Sequence, residues 1–217
     1  MNVTAPKKAL TKIKAHISRK NSKIGKIANF SLAPIKSCSN CKYCFQPDIY
    51  LKCYAMQGYL QYPIVANAWD ENLRMARRSP AKLFKQIEAY LNKYSKSFFR
   101  IHVAGDFFSQ SYLDRWSTLC AKYPKIRFLA FTKAFELDFS EVPKNLKIMY
   151  SIMPNMPQDI VPSKGSRAYV GDSIKAHKRK RERVFPCAGN CENCLTCWSF
   201  RENESVNFEI HGPGITS

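Results

Sequence analysis

Residues 97–106, SFFRIHVAGD, make a short apolar run closed by a glycine. A run this length, rich in aromatic and β-branched side chains, suits a strand buried on both faces. Downstream, SQSYLDRWSTLCAKY (109–123) sets Leu113, Trp116, Leu119 and Cys120 on one helical face. IRFLAFTK (126–133) and LKIMYSIM (146–153) read as further strands, and RAYVGDS (167–173) as a weaker one. Upstream, NFSLAP (29–34) is a short strand stopped by Pro34, and YPIVANAWDENLRMARRS (62–79) follows a helical period. SPAKLFKQIEAYLNKY (79–94) begins with Ser79 as N-cap and Pro80 at the first helical position. Strands separated by helices or crossover-length connections argue for parallel pairing and an α/β domain. Five strands are too few for an eight-stranded barrel, so the expectation is a partial (βα) barrel or an open, mostly parallel sheet with cysteine-rich cluster-binding loops.

The chain has 217 residues, 45% of them hydrophobic, enough for one domain with a real core. Thirty-five Lys and Arg against 16 Asp and Glu leave a net charge of +19, which favours a polyanionic partner, with nucleic acid, DNA or RNA, the natural candidate. The excess concentrates at 7–26 and at KAHKRKRERV (175–184), runs that usually form solvated faces or mobile arms. The reading divides the chain into a basic N-terminal arm (1–28), an α/β core (29–184) and a cysteine-rich C-terminal segment (185–217). The opening MNVTAPKKAL has no apolar stretch, and no run of eighteen apolar residues follows, so the expected setting is cytoplasmic and reducing, without membrane insertion.

In parallel α/β sheets, ligands sit beyond the carboxyl ends of the strands. That edge collects the cysteine loop after NFSLAP, Gly105 and Asp106, Thr132 and Lys133, Ser151 and Asp172. Asp106 suits a hydrogen bond from a substrate amine or hydroxyl, and Lys133 a charge contact to phosphate or carboxylate. His102, expected on the same strand face as Ala104 with Asp106 just past the strand's end, is either a core histidine or a third catalytic group.

The nine cysteines divide cleanly. Cys38, Cys41, Cys44 and Cys53 lie in CSNCKYCFQPDIYLKC (38–53), Cys187, Cys191, Cys194 and Cys197 in CAGNCENCLTC (187–197), and Cys120 alone on an apolar helix face. Cys120 reads as a buried small hydrophobe. Structural zinc usually takes two C-x2-C knuckles separated by a long loop. The C-terminal group instead runs C-x3-C-x2-C-x2-C, the reverse of a bacterial ferredoxin run, and the first begins C-x2-C-x2-C. Thiolates on one tight loop suit a [4Fe-4S] cluster, one or two per chain, with zinc at both quartets the alternative.

NSKIGKIANFSLAPIKSC (21–38), CYA (53–55), RIHVAGDFFSQSYLDRWSTLCAKYPKIRFLAFTK (100–133), CENCLTCW (191–198) and VNFEIHG (206–212) resemble, in that order, the phage family gene product 88. The likeness spans most of residues 21–212 and implies a phage or prophage origin. A looser likeness is to radical S-adenosylmethionine (SAM) enzymes, partial or complete α/β barrels with a three-cysteine, cluster-binding loop after the first strand. The usual spacing there is C-x3-C-x2-C, against C-x2-C-x2-C here. AGDFF (104–108) sits where that family's Gly-Gly-Glu-like motif falls, and Tyr54 looks like its aromatic residue beside a cluster cysteine. The likeness implies SAM contacts from Gly105, Asp106, Tyr54 and Ser151, with Asp106, Lys133 and His102 as catalytic candidates. Three functions follow: an iron–sulfur protein that binds nucleic acid through its basic surface, a radical-SAM-like enzyme with an open cluster site, or a zinc-stapled nucleic-acid binder.

Overall fold

Phe98–Ile101 is the third strand, β3, of an eight-stranded open sheet in the computed structural model, which describes residues 14–20, 24–38, 53–94, 97–154 and 156–209. The other strands are β1 (Ile17–Ser18), β2 (Ala28–Phe30), β4 (Arg127–Thr132), β5 (Leu146–Ile152), β6 (Ser166–Val170), β7 (Arg183–Pro186) and β8 (Glu204–Phe208). Their order is β1-β2-β3-β4-β5-β6-β8-β7, and every pairing is parallel except β1 with β2. Six helices accompany them among the described residues: α1 (Tyr54–Gln61), α2 (Pro63–Arg78), α3 (Pro80–Lys93), α4 (Gln110–Lys122), α5 (Ser173–His177) and α6 (Cys191–Cys194).

The two faces of the sheet are covered by different things, and strand alternation sorts them. Phe99, Ile101, Phe128, Ala130, Leu146 and Ile148 face the helices. There they meet Leu73, Met75 and Ala76 of α2, Leu83, Phe84, Ile87 and Leu91 of α3, and Leu113, Trp116, Leu119 and Cys120 of α4, spaced one helical turn apart. Phe98, Leu129, Phe131, Met149, Ala168 and Val206 point the other way, onto Trp198, Phe200 and the C-terminal cysteines.

Topology explains this division. From β2 to β6 the chain steps steadily across the sheet, and right-handed crossovers place every connection on one side. After β6 the chain skips to the edge as β7 and returns as β8. A right-handed crossover in that reversed direction must pass over the opposite side. The reversal delivers residues 187–203, with the cysteines and the short α6, to the face opposite α2, α3 and α4.

The N-terminal basic region is partly built into the sheet. Ile17–Ser18 pairs with Asn29–Phe30, and the buried Asn72 of α2 imitates a strand partner for His16. Its Oδ1 accepts from the His16 N–H at 2.8 Å, and its Nδ2 donates to the carbonyls of His16 and Ser31 at 2.9 Å each.

Candidate functional site

At the ends of β2 and β3 the two chains stay laced together beyond their regular pairing. The His102 N–H donates to the Phe30 carbonyl and the Leu32 N–H to the Ala104 carbonyl, each at 2.9 Å. Gly105, at φ 82°, lets the β3 loop press on the β2 loop: a Cβ there would lie 2.6 Å from Ser37 Oγ and 2.7 Å from Leu32 Cβ. Ser37 Oγ donates to the Ala33 carbonyl at 2.7 Å and accepts from the Asp106 N–H at 3.3 Å.

Asp106 is the centre of this rim. Its carboxylate accepts from Thr132 Oγ1 at 2.7 Å, the Phe107 N–H at 2.7 Å and the Lys133 N–H at 2.8 Å. Burial pushes its pKa up, while those hydrogen bonds and the Lys133 charge pull back. Three protein donors leave it little capacity for a ligand, so its geometry is that of a clasp joining β3 to β4. Beside it, burial raises the Cys38 thiol to about 11, with Asp106 and Cys53 adding repulsion and Lys133 opposing. The structure therefore brings Cys38, Cys53, Asp106 and Lys133 to one rim. Cys41 and Cys44 lie outside the described residues, as does the side chain of Tyr54, the first residue of α1.

His102 goes elsewhere. β3 ends at Ile101, and His102 turns at φ 56°, a conformation that breaks the expected strand alternation with Ala104. Its ring stacks on Tyr112 and meets Phe107 edge-on, with Nε2 3.0 Å from Tyr112 Oη. Burial, with Arg100 nearby, lowers its pKa to about 3. It is a neutral member of the aromatic layer beneath the rim. Ser151, in β5, shares the Met149 face of the sheet and lies largely buried in register with Ala168.

The second quartet occupies the face opposite α2, α3 and α4. Cys187 follows β7 directly, and Cys191 and Cys194 open and close α6. Cys187, Cys191 and Cys197 pack on the cluster around Trp198 and Met149, while Cys194 is exposed. Beneath them Arg100 rises from the middle of β3, its guanidinium 3.8 Å from the centre of the Phe131 ring. Burial pushes the Cys197 thiol up to about 12; Arg100 draws it down, while Cys191, Cys187 and Cys194 add repulsion. Cys191 is raised for the same reasons. The four sulfurs and the one cation thus lie within electrostatic reach of each other. A bound cationic centre is what would convert such thiols to thiolates.

The backbone adds to this. The Gly189 N–H donates to Cys187 Sγ at 3.4 Å, and Thr196 Oγ1 lies 3.0 Å from Cys194 Sγ. α6 ends in Leu195 at φ 54°, so helical residues precede a left-handed one. Successive amides in that conformation form the concavity that receives anions and cluster sulfurs. Glu192 fastens the segment by accepting from the Lys26 N–H at 3.1 Å. Among the described residues, no three His, Cys, Asp or Glu side chains are arranged to hold a single metal ion. The donor chemistry itself, four thiols on one short crossover with a buried cation and amide donors, fits an anionic iron–sulfur cluster.

Sequence reasoning missed Arg100 and Glu182. Each carried a signal: Arg100 is the single cation in an apolar strand, and Glu182 the single acid in the basic run 175–184.

No helix among the described residues is long and apolar enough to cross a membrane. Searches of curated proteins and of solved structures find no match. The gene product 88 family matches residues 4–197, which takes in the rim and the whole C-terminal quartet. The chain belongs to the gene product 88 family, the phage family that its ordered motifs resemble.

Proposed function

We propose that this chain is an iron–sulfur protein that binds nucleic acid, with Cys187, Cys191, Cys194 and Cys197 as ligands of a [4Fe-4S] cluster. The observation that carries the reading is the packing of Cys187, Cys191 and Cys197 on the sheet face that carries Arg100, with Cys194 in the same short crossover, where the order of the strands reverses. Four thiolates leave a four-iron cluster with net negative charge, and Arg100 supplies the compensating one. Electron transfer or structural support is the chemistry open to a fully ligated cluster. The charge of +19 supports a nucleic-acid partner through phosphate contacts.

Protein purified without oxygen is expected to be brown, with broad absorbance near ~400 nm and about four irons and four sulfides per cluster. A colourless protein with stoichiometric zinc overturns the cluster reading in favour of zinc staples.

The rim favours a second reading, in which Cys38 and its neighbours hold another cluster with an open iron that binds SAM. The shared position of Cys38, Cys53 and Lys133 supports it. SAM added to dithionite-reduced protein then perturbs the EPR signal and releases 5′-deoxyadenosine. No change in either rejects it.

A further inference from the structure

The basic run 175–184, whose composition suggests a solvated face or a mobile arm, is folded: it ends α5, makes a turn at 179–182 and begins β7. Glu182 is 5% exposed and fixes it. Its carboxylate accepts from Tyr169 Oη and Ser205 Oγ at 2.6 Å each and from the Arg179 N–H at 3.0 Å, and pairs with the Arg179 guanidinium at 2.8 Å. That guanidinium also donates to the carbonyls of Ser163 and Glu202, at 3.0 Å each. The Glu182 N–H closes the turn on the Arg179 carbonyl at 3.2 Å. Lys180 and Arg181 are left at the exposed tip.

Arg181 sits at φ 64°, where a turn favours glycine or asparagine. A side chain there is strained, and strain of this kind points to a use for it. Lys180 lines a cleft of about 480 Å³ with Arg201, Glu202 and Asn203. Arg201 is held by its backbone, which accepts from Ser166 Oγ at 2.8 Å and donates to Glu204 Oε2 at 3.0 Å. Among the described residues, Lys180, Arg181 and Arg201 form no ion pair, although Glu202 shares the cleft.

We propose that Lys180, Arg181 and Arg201 form the contact to the phosphate backbone of a nucleic acid, a refinement that rests on the nucleic-acid partner proposed above. Cations fixed by a buried anchor lose less entropy on binding than a flexible tail, and each phosphate met releases a counterion. This surface lies where β7 and β8 begin, whereas Cys187 follows the end of β7. Four residues of strand separate them by about 13 Å, so the phosphate contact and the cysteine site are independent.

The test is fluorescence anisotropy of a labelled oligonucleotide with the full chain, titrated at several salt concentrations. Lys180→Ala/Arg181→Gly/Arg201→Ala removes three charges and relieves the strain at 181. Its expected effect is a fall of about 2–3 in the steepness of log K against log salt, with at least a tenfold loss of affinity at low salt. Lys82→Ala/Lys85→Ala/Lys93→Ala, on α3, is expected to change the slope little. Thermal unfolding checks both folds, and Lys180→Glu alone, at the exposed tip, carries the test if the triple variant does not fold. An unchanged slope in a folded variant, or an equal fall in the α3 variant, overturns this surface while the nucleic-acid reading stands. Wild-type protein without salt-dependent binding overturns both.

Discussion

The Arg100 guanidinium lies 3.8 Å from the centre of the Phe131 ring, on the sheet face that the cysteine crossover covers. The stack fixes a positive charge within reach of Cys191 and Cys197. An anionic cluster is easier to reduce near a cation. Arg100→Met should therefore lower the reduction potential of the proposed cluster by on the order of 100 mV. Arg100→Lys should restore part of that shift, as read by potentiometric titration of the EPR signal. Equal potentials in wild type and Arg100→Met would place the cluster away from this residue.

The cysteines should separate by role. Cys191→Ser and Cys197→Ser should each sharply lower bound iron and sulfide. Cys120, fully buried in the helix layer, has only a packing role. Cys120→Ala should keep the iron content and cost about 1 kcal/mol in urea denaturation.

Removing the Asp106 clasp should destabilise the protein. Asp106→Ala leaves Thr132 Oγ1 and the Phe107 and Lys133 amides without their acceptor, at a cost of roughly 3 kcal/mol. Asp106→Asn turns an NH2 toward donors and should cost about 1–3 kcal/mol. Full stability of the asparagine variant would contradict the clasp. Urea midpoints measure both.

Much of this arrangement is legible in the sequence, because hydrophobic periodicity marks elements that bury a whole face. The four central strands and the helices α2, α3 and α4 announce themselves that way, Ser109 caps α4 through the Tyr112 N–H, and Cys120 is as buried as its neighbours require. Ser79 sits at the N-cap of α3 without a side-chain cap bond, Pro80 alone setting the start. The edge strands were hidden: β1 has two residues, and β7 ends in proline. The rim grouping followed from strand direction, but its internal wiring did not. Nothing local reveals that Asp106 is saturated by Thr132 and two amides, or that His102 leaves the strand at positive φ toward Tyr112. The position of the second quartet depends on the β7–β8 reversal, a long-range pairing that no local pattern encodes.

His102 gives the protein an acid sensitivity with a definite sign. Its folded pKa, about 3, lies below the ordinary value of 6.5, so the unfolded chain binds the extra proton first. The stabilisation is complete above pH ~6.5 and is lost as pH falls toward ~3, at up to about 1.4 kcal/mol per unit. His102→Gln should flatten the stability profile between pH ~6 and ~4, measured by urea denaturation across that range. An unchanged slope would show that the residue does not carry it.

Glu182 adds a second acid step. Burial raises its carboxyl, but hydrogen bonds from Ser205, Tyr169 and Arg179 outweigh this and leave the folded pKa below the usual 4.5. Its contribution is full above that value and is lost as pH falls through the lower folded one. Glu182→Gln should remove that step and cost about 1–3 kcal/mol at neutral pH, with faster hydrogen exchange at Lys180 and Arg181.

The most direct test of the proposed cluster is an anomalous difference map, recorded on either side of the iron absorption edge from crystals grown and frozen without oxygen. The expected result is a compact multi-iron peak bounded by the sulfurs of Cys187, Cys191, Cys194 and Cys197, above Arg100. A map with no iron peak there, or with a single zinc peak in its place, would contradict the proposal.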